Sequence, residues 1–186
     1  MQRFINNAVN SYILIGTKAP EFTADCYKNG EITKLKLGDY KGRWVVLFFY
    51  PADFTFVCPT ELEGFANDYE KFIKKEAEII AVSTDTAYVH KAWSEADKRI
   101  TKVKYPMVAD RKGTISRSYG VLNEETGNAR RGLFIIDPDG IIKYMVVTDD
   151  DIGRSTHETY RVLSALQAGG LCGVNWEEGK PLVNKN

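Results

Sequence analysis

The sequence predicts an α/β fold with a mixed central β-sheet flanked by helices. Three observations carry that prediction. "WVVLFFY" (44–50) is an unbroken run of apolar, aromatic and β-branched residues that ends at Pro51, the pattern of a strand buried on both faces. From Pro59 to about Lys75, Leu62, Phe65, Ala66, Tyr69, Phe72 and Ile73 recur at spacings of three and four, the pattern of an amphipathic helix. Further on, "RRGLFIIDPDGIIKYMVVTD" sets two apolar segments about Asp-Pro-Asp-Gly, a turn with proline second and glycine fourth, and so predicts a hairpin.

The other elements fall between these. "EIIAVSTD" (78–85) reads as a second strand and "AYVHKAWSEADKR" (87–99) as a second helix. "PMVAD" is a short strand, and "TISRSYG" is a short helix closed by Gly120. "STHETYRVLSALQAGG" is a final helix, with Ser155 as N-cap, Glu158 at capping-box spacing, and Gly169 and Gly170 as its stop. Strands alternating with helices imply parallel pairing, and the hairpin adds an antiparallel part. A β-α-β unit followed by a β-β-α unit is the plan of the thioredoxin fold. Residues 1–170 are therefore expected to form one thioredoxin-like domain and residues 171–186 a C-terminal arm. The two ends, 1–18 and about 171–186, lie outside the periodic pattern and are expected to be mobile arms or partner contacts.

Composition narrows the function. The chain of 186 residues can bury a good core without disulfide staples. Lys+Arg and Asp+Glu both number 25, so no basic field invites nucleic acid or an anionic membrane. No apolar run approaches the roughly 18–20 residues needed to span a bilayer. The opening "YILIG" is too short and broken for a signal peptide, so the expected location is the cytoplasm. There are three cysteines, Cys26, Cys58 and Cys172, with no C-x-x-C pair, and the two histidines, His90 and His157, do not stand at metal-ligand spacing from them. Nothing resembles G-x-G-x-x-G or a P-loop, so no bound nicotinamide, flavin or nucleotide cofactor is expected.

Cys58 falls in the loop after the "WVVLFFY" strand, at the mouth of the following helix, with Pro59 suited to the first helical position. In open α/β sheets ligands gather at the carboxyl ends of strands. Free N–H groups and the helix dipole favour an anion there. A thiol so placed can have its pKa lowered from about 8.5 toward the 3.5–7.5 range. From position alone, a buried structural cysteine and a reactive thiolate both stand open. Thr55, three residues earlier, is placed to share a pocket with the sulfur or simply to cap the loop. Pro51 and Pro59 stiffen the loop. Arg131 and Arg154 are candidate positive charges, and Glu61, one turn into the helix, is a candidate for orienting them.

The stretch "FYPADFTFVCPTE" resembles the peroxidatic-cysteine motif of the peroxiredoxins, P-x-x-x-T-x-x-C, here Pro51, Thr55 and Cys58. "GTKAPEFTA", "VSTD", "HKAW", "RGLFIID" and "IGRS" extend the resemblance over most of the chain, and "KVKYPMVADRKG" and "LCGVNWEEGK" are similar to the typical two-cysteine class, in particular the bacterial alkyl hydroperoxide reductase C subunit. The resemblance implies a thiol-specific peroxidase that reduces hydrogen peroxide and organic hydroperoxides, in antioxidant defence. It implies Cys58 as peroxidatic and Cys172 as resolving cysteine, joined between subunits as a disulfide. Thr55 and the Cys58 N–H would orient the peroxide, Arg131 would stabilise thiolate and peroxide oxygens, and Pro51 would screen the sulfur. Glu61 and Arg154 would hold these groups in place. The implied partners are a second copy of the chain, with decamers as pentamers of dimers, and an external dithiol reductant. That reductant is a flavoprotein disulfide reductase, making the enzyme NADH-dependent, or thioredoxin.

Two features depart from the family pattern. Cys172 is followed by Gly173 where proline is usual, and the "GGLG" insert and the C-terminal tyrosine–phenylalanine pair of oxidation-sensitive members are missing. The expectation is an enzyme whose active-site helix unwinds readily and whose Cys58 resists over-oxidation. Cys26 is expected to be an inert thiol, His90 a structural residue, and Trp93 and Trp176 packing or interface anchors. A disulfide oxidoreductase is the rival class, opposed by the missing C-x-x-C. A non-catalytic chaperone is another, and it leaves no clear mark in a sequence.

Overall fold

The computed structural model describes residues 13–184. Residues 1–12 of the expected N-terminal arm lie outside the described residues. The chain runs β1 (Thr23–Lys28), β2 (Glu31–Lys36), β3 (Trp44–Phe49), α1 (Cys58–Lys74), β4 (Ala77–Ser83), α2 (Ala87–Ala96), β5 (Met107–Ala109), α3 (Thr114–Ser118), β6 (Arg131–Ile136), β7 (Ile142–Thr148) and α4 (Thr156–Ala168). Among the described residues no helix is long and apolar enough to cross a membrane.

One seven-stranded sheet holds the strands in the order β2-β1-β5-β4-β3-β6-β7. β3, β4 and β5 pair in parallel, while β6, β7 and the β1–β2 hairpin pair antiparallel, so the sheet is mixed as expected. β3 lies inside it, between β4 and β6, and its side chains divide by parity. Val46 and Phe48 join Leu62, Phe65 and Phe72 of α1, Trp93 of α2 and Leu163 of α4 in one core. Val45, Leu47 and Phe49 face the other way, onto Leu37, Ile115 of α3 and Tyr119. A strand with both faces covered needs apolar residues at every position, which explains the unbroken run.

The local signals act as their chemistry demands. Gly140 accepts the left-handed φ of 80° that closes the β6–β7 turn, and its N–H reaches the Asp137 carbonyl at 2.9 Å. Ser155 caps α4 by accepting from the Glu158 N–H, but the Glu158 carboxylate turns to Arg161, so only half of the capping box forms. α2 stops at Ala96, short of the expected Arg99. Asp97 is extended there, and its carboxylate takes both the backbone and the side chain of Arg99, a local turn that competes with the helix.

The structure adds a hairpin, β1–β2, in a stretch where the sequence predicts no element. Its loop is Asn29-Gly30, both with positive φ, between Lys28 and Glu31, which pair directly; that is the two-residue turn that fits strand twist. The C-terminal arm also differs from a mobile tail. Its Trp176 is buried, the Trp176 carbonyl accepts from Arg161 at 2.9 Å, and Glu178 pairs with Lys75 at the far end of α1.

Candidate active site

β3 delivers the chain to a loop, Tyr50–Val57, which turns into α1 at Cys58. Pro59 occupies the first turn, where its missing N–H leaves no bond unmade. Cys58 has no exposed surface (0%). Glu61 follows one turn later on the same helix.

Two arginines close on this turn from distant parts of the chain. Arg131 opens β6, and its Nη1 lies 3.4 Å from Cys58 Sγ and 2.5 Å from Glu61 Oε2. Its Nε donates to the Asp150 carbonyl at 2.7 Å. Arg154, between β7 and α4, donates from its backbone N–H and its Nε to Glu61 Oε1, at 2.8 and 2.7 Å, and from Nη2 to Oε2 at 3.0 Å. Its Nη1 donates to the Gly132 carbonyl at 2.6 Å, and its guanidinium lies over the Phe48 ring, 5.3 Å from the centroid. Glu61, Arg131 and Arg154 are all buried. Buried ions persist only when paired and hydrogen-bonded, and here one carboxylate serves two cations. Burial works against the charge of Arg131, but the neighbouring Cys58 sulfur and Glu61 outweigh it and push its pKa up. A fixed positive charge therefore faces the thiol.

The structure brings together Cys58, Glu61, Arg131 and Arg154. Thr55 is half-buried, and its hydroxyl donates to the Ala52 carbonyl at 2.8 Å, which leaves its lone pairs free to accept. Pro51 is half-buried at the head of the loop. Cys172 is not beside Cys58: its thiol lies 3.7 Å from the Ala165 carbonyl, near the end of α4. That end packs by the C-terminus of α1, where Gln167 donates to the Lys75 carbonyl at 2.7 Å. A 17-residue helix, about 25 Å long, thus separates the two ends.

Sequence reasoning missed two kinds of participant. The Asp150 and Gly132 carbonyls orient the arginines, and backbone acceptors carry no residue signature. Asp53 and His90 form a buried pair, Nδ1 to Oδ2 at 2.7 Å, which agrees with a structural His90 but joins two segments that carry no sign of the pairing.

A buried thiol at a helix N-terminus, faced by a guanidinium on a thioredoxin-like sheet, defines a thiol redox centre. The comparisons agree with that class. Residues 15–145 match the AhpC/TSA family. Alkyl hydroperoxide reductase C of Escherichia coli strain K12 is 43% identical over 172 residues, covering 90% of this chain and 92% of that protein. The crystal structure of Enterococcus faecalis AhpC superposes with a TM-score of 0.83 at 42% identity, covering 92% of this chain and 99% of that one. The reduced Plasmodium vivax 2-Cys peroxiredoxin gives 0.85 at 33% identity, over 90% and 91%. The chain belongs to the AhpC/TSA family.

Proposed function

We propose that this chain, a thiol-specific peroxidase, reduces hydrogen peroxide and organic hydroperoxides through a Cys58 sulfenic acid and an intersubunit Cys58–Cys172 disulfide. The observation that carries the reading is the Arg131 guanidinium, 3.4 Å from the Cys58 sulfur and locked by Glu61. The thiolate attacks the near oxygen of the peroxide, the O–O bond breaks, and the leaving oxygen departs with a proton as water or an alcohol. Cys58 becomes a sulfenic acid, the reversible first step of thiol oxidation. Arg131 acts as preorganised electrostatic stabilisation for the charge on the peroxide oxygens. Thr55 accepts a hydrogen bond from the peroxide, and Pro51 shields the sulfur.

The Cys172 thiol then condenses with the sulfenic acid, releasing water. Within one chain the helix α1 stands between the two cysteines, which favours a partner's arm as the source of the resolving thiol. The functional unit is thus a homodimer, and rings of five dimers are the proposed assembly. The proposed chemistry calls for no bound cofactor. An external dithiol, from a flavoprotein disulfide reductase or thioredoxin, reopens the bond by exchange in the cytoplasm.

The test is a non-reducing gel after stoichiometric hydrogen peroxide. Wild type is expected as a linked dimer, with the band lost in Cys58→Ser and in Cys172→Ser. A wild type that stays monomeric and consumes no peroxide overturns the reading. With its reductant cycling, the enzyme is also expected to keep its activity at low micromolar peroxide; progressive loss, with a Cys58 sulfinic acid in the mass spectrum, would contradict the expected resistance.

A further inference from the structure

The start of the catalytic loop carries a second buried polar cluster, to which the mechanism above assigns no role. Asp53 Oδ1 accepts from the Tyr50 hydroxyl at 2.7 Å, and Oδ2 faces His90 Nδ1 at 2.7 Å. Neither the Asp53 nor the His90 side chain has any exposed surface (0% each). The Asp53 backbone N–H donates to Asp85 Oδ2 at 2.9 Å, and that oxygen also accepts from Ser83 Oγ at 2.8 Å. One residue thus ties the loop to the end of β3, to the β4–α2 turn and to α2. The next residue, Phe54, is held at a left-handed φ of 56° and packs on Trp93 of α2, with ring centroids 5.8 Å apart. Such a conformation persists only where its surroundings enforce it. Thr55 follows immediately.

The protons of the cluster can be placed by its partners. His90 Nε2 lies 3.3 Å from the Val108 carbonyl, which can only accept, so Nε2 carries a proton. One further proton lies between Nδ1 and the Asp53 carboxyl. Burial pushes the Asp53 carboxyl above its ordinary value, against the hydrogen bond from His90. Burial and the Asp53 charge push Tyr50 well up, so its hydroxyl remains a donor.

We propose that Asp53 and His90 are positioning residues for the peroxidase reaction: their buried hydrogen bond pins the first half of the loop to α2 and fixes where the Thr55 hydroxyl stands relative to Cys58. The inference rests on the role given to Thr55 above. The first half of the loop, through Phe54, stays anchored, while Phe56, almost fully exposed at 93%, belongs to the half free to open.

The test measures two rates on the reduced protein. One is its reaction with hydrogen peroxide, by competition with horseradish peroxidase. The other is alkylation of Cys58 by iodoacetamide, read by mass spectrometry, which needs the thiolate but no oriented peroxide. Asp53→Leu and His90→Phe are expected to slow the peroxide reaction about 10- to 100-fold, the scale of a misplaced reacting group, with alkylation not slowed. Asp53→Asn is expected to restore most of the rate. Its amide oxygen accepts from Tyr50 and its NH₂ donates to Nδ1 of a neutral imidazole that keeps the Nε2 proton. Near-ultraviolet circular dichroism checks the fold. Should the two disruptive variants not fold, Tyr50→Phe decides, because it removes one hydroxyl at constant shape; a few-fold slowing specific to peroxide is expected. Folded variants that react with peroxide like the wild type, or that lose both rates in proportion, overturn the proposal. Thr55→Val separates the two readings. If it is as fast as wild type, the role of Thr55 fails and the positioning with it; if it is slow while Asp53 and His90 variants are not, the positioning alone fails.

Discussion

An Arg131→Leu variant is expected to react with hydrogen peroxide about a hundred- to a thousand-fold more slowly than the wild type, the usual loss when one preorganised donor is removed from a developing charge. The guanidinium is held at both ends, by the Asp150 carbonyl on Nε and by Glu61 on Nη1, so its position beside the sulfur is set before peroxide arrives. Leucine fills part of the space but supplies neither charge nor donor. Arg131→Lys is expected to fall in between, since an ammonium keeps the charge and loses the planar fork that reaches Glu61, Asp150 and Cys58 together. Stopped-flow mixing of reduced protein with peroxide measures the rate. An Arg131→Leu protein as fast as the wild type would remove Arg131 from the chemistry.

Glu61→Gln is expected to act mainly on stability, by about 3–5 kcal/mol, the cost of leaving buried charges unpaired. The carboxylate accepts from Arg131 and from three donors of Arg154, with side chains almost wholly buried. A glutamine keeps the shape but turns an NH₂ toward guanidinium donors that need an acceptor. Urea unfolding at fixed protein concentration measures the change, because any assembly also contributes to apparent stability. A midpoint equal to that of the wild type would show the two arginines to be satisfied without the charge. The peroxide rate is expected to fall as well, since Arg131 then loses one of its two anchors.

How far the sequence could be read depends on how each element is stabilised. β3 and α1 announce themselves because burial dictates their period, and the structure sets β3 at Trp44–Phe49 and α1 at Cys58–Lys74. β1 and β2 form an edge hairpin in which only Cys26, Tyr27 and Leu35 are buried, so hydrophobic alternation is faint and the Asn29-Gly30 turn is the surviving signal. In the site, Cys58 was visible from its place between strand and helix. Arg131, 73 residues away, stood out with Arg154 only as a candidate charge at the edge of a predicted element, and the family resemblance supplied its role. Asp53 and His90 escaped for a similar reason. Each is unremarkable within its own segment, and their pairing arises from the approach of α2 to the end of β3.

Glu61 also sets a leash. In the proposed reaction Cys58 would swing outward by unwinding the first turn of α1, and the carboxylate that anchors both arginines stands three residues further along. Unwinding beyond that point would strand two guanidiniums in the interior, so the paying-out of chain stops there. The free length, Cys58 to Thr60, is about 10 Å when fully extended. In the proposed reaction the sulfenic acid would therefore travel a short, fixed distance, and the greater part of the gap would fall to the arm that bears Cys172.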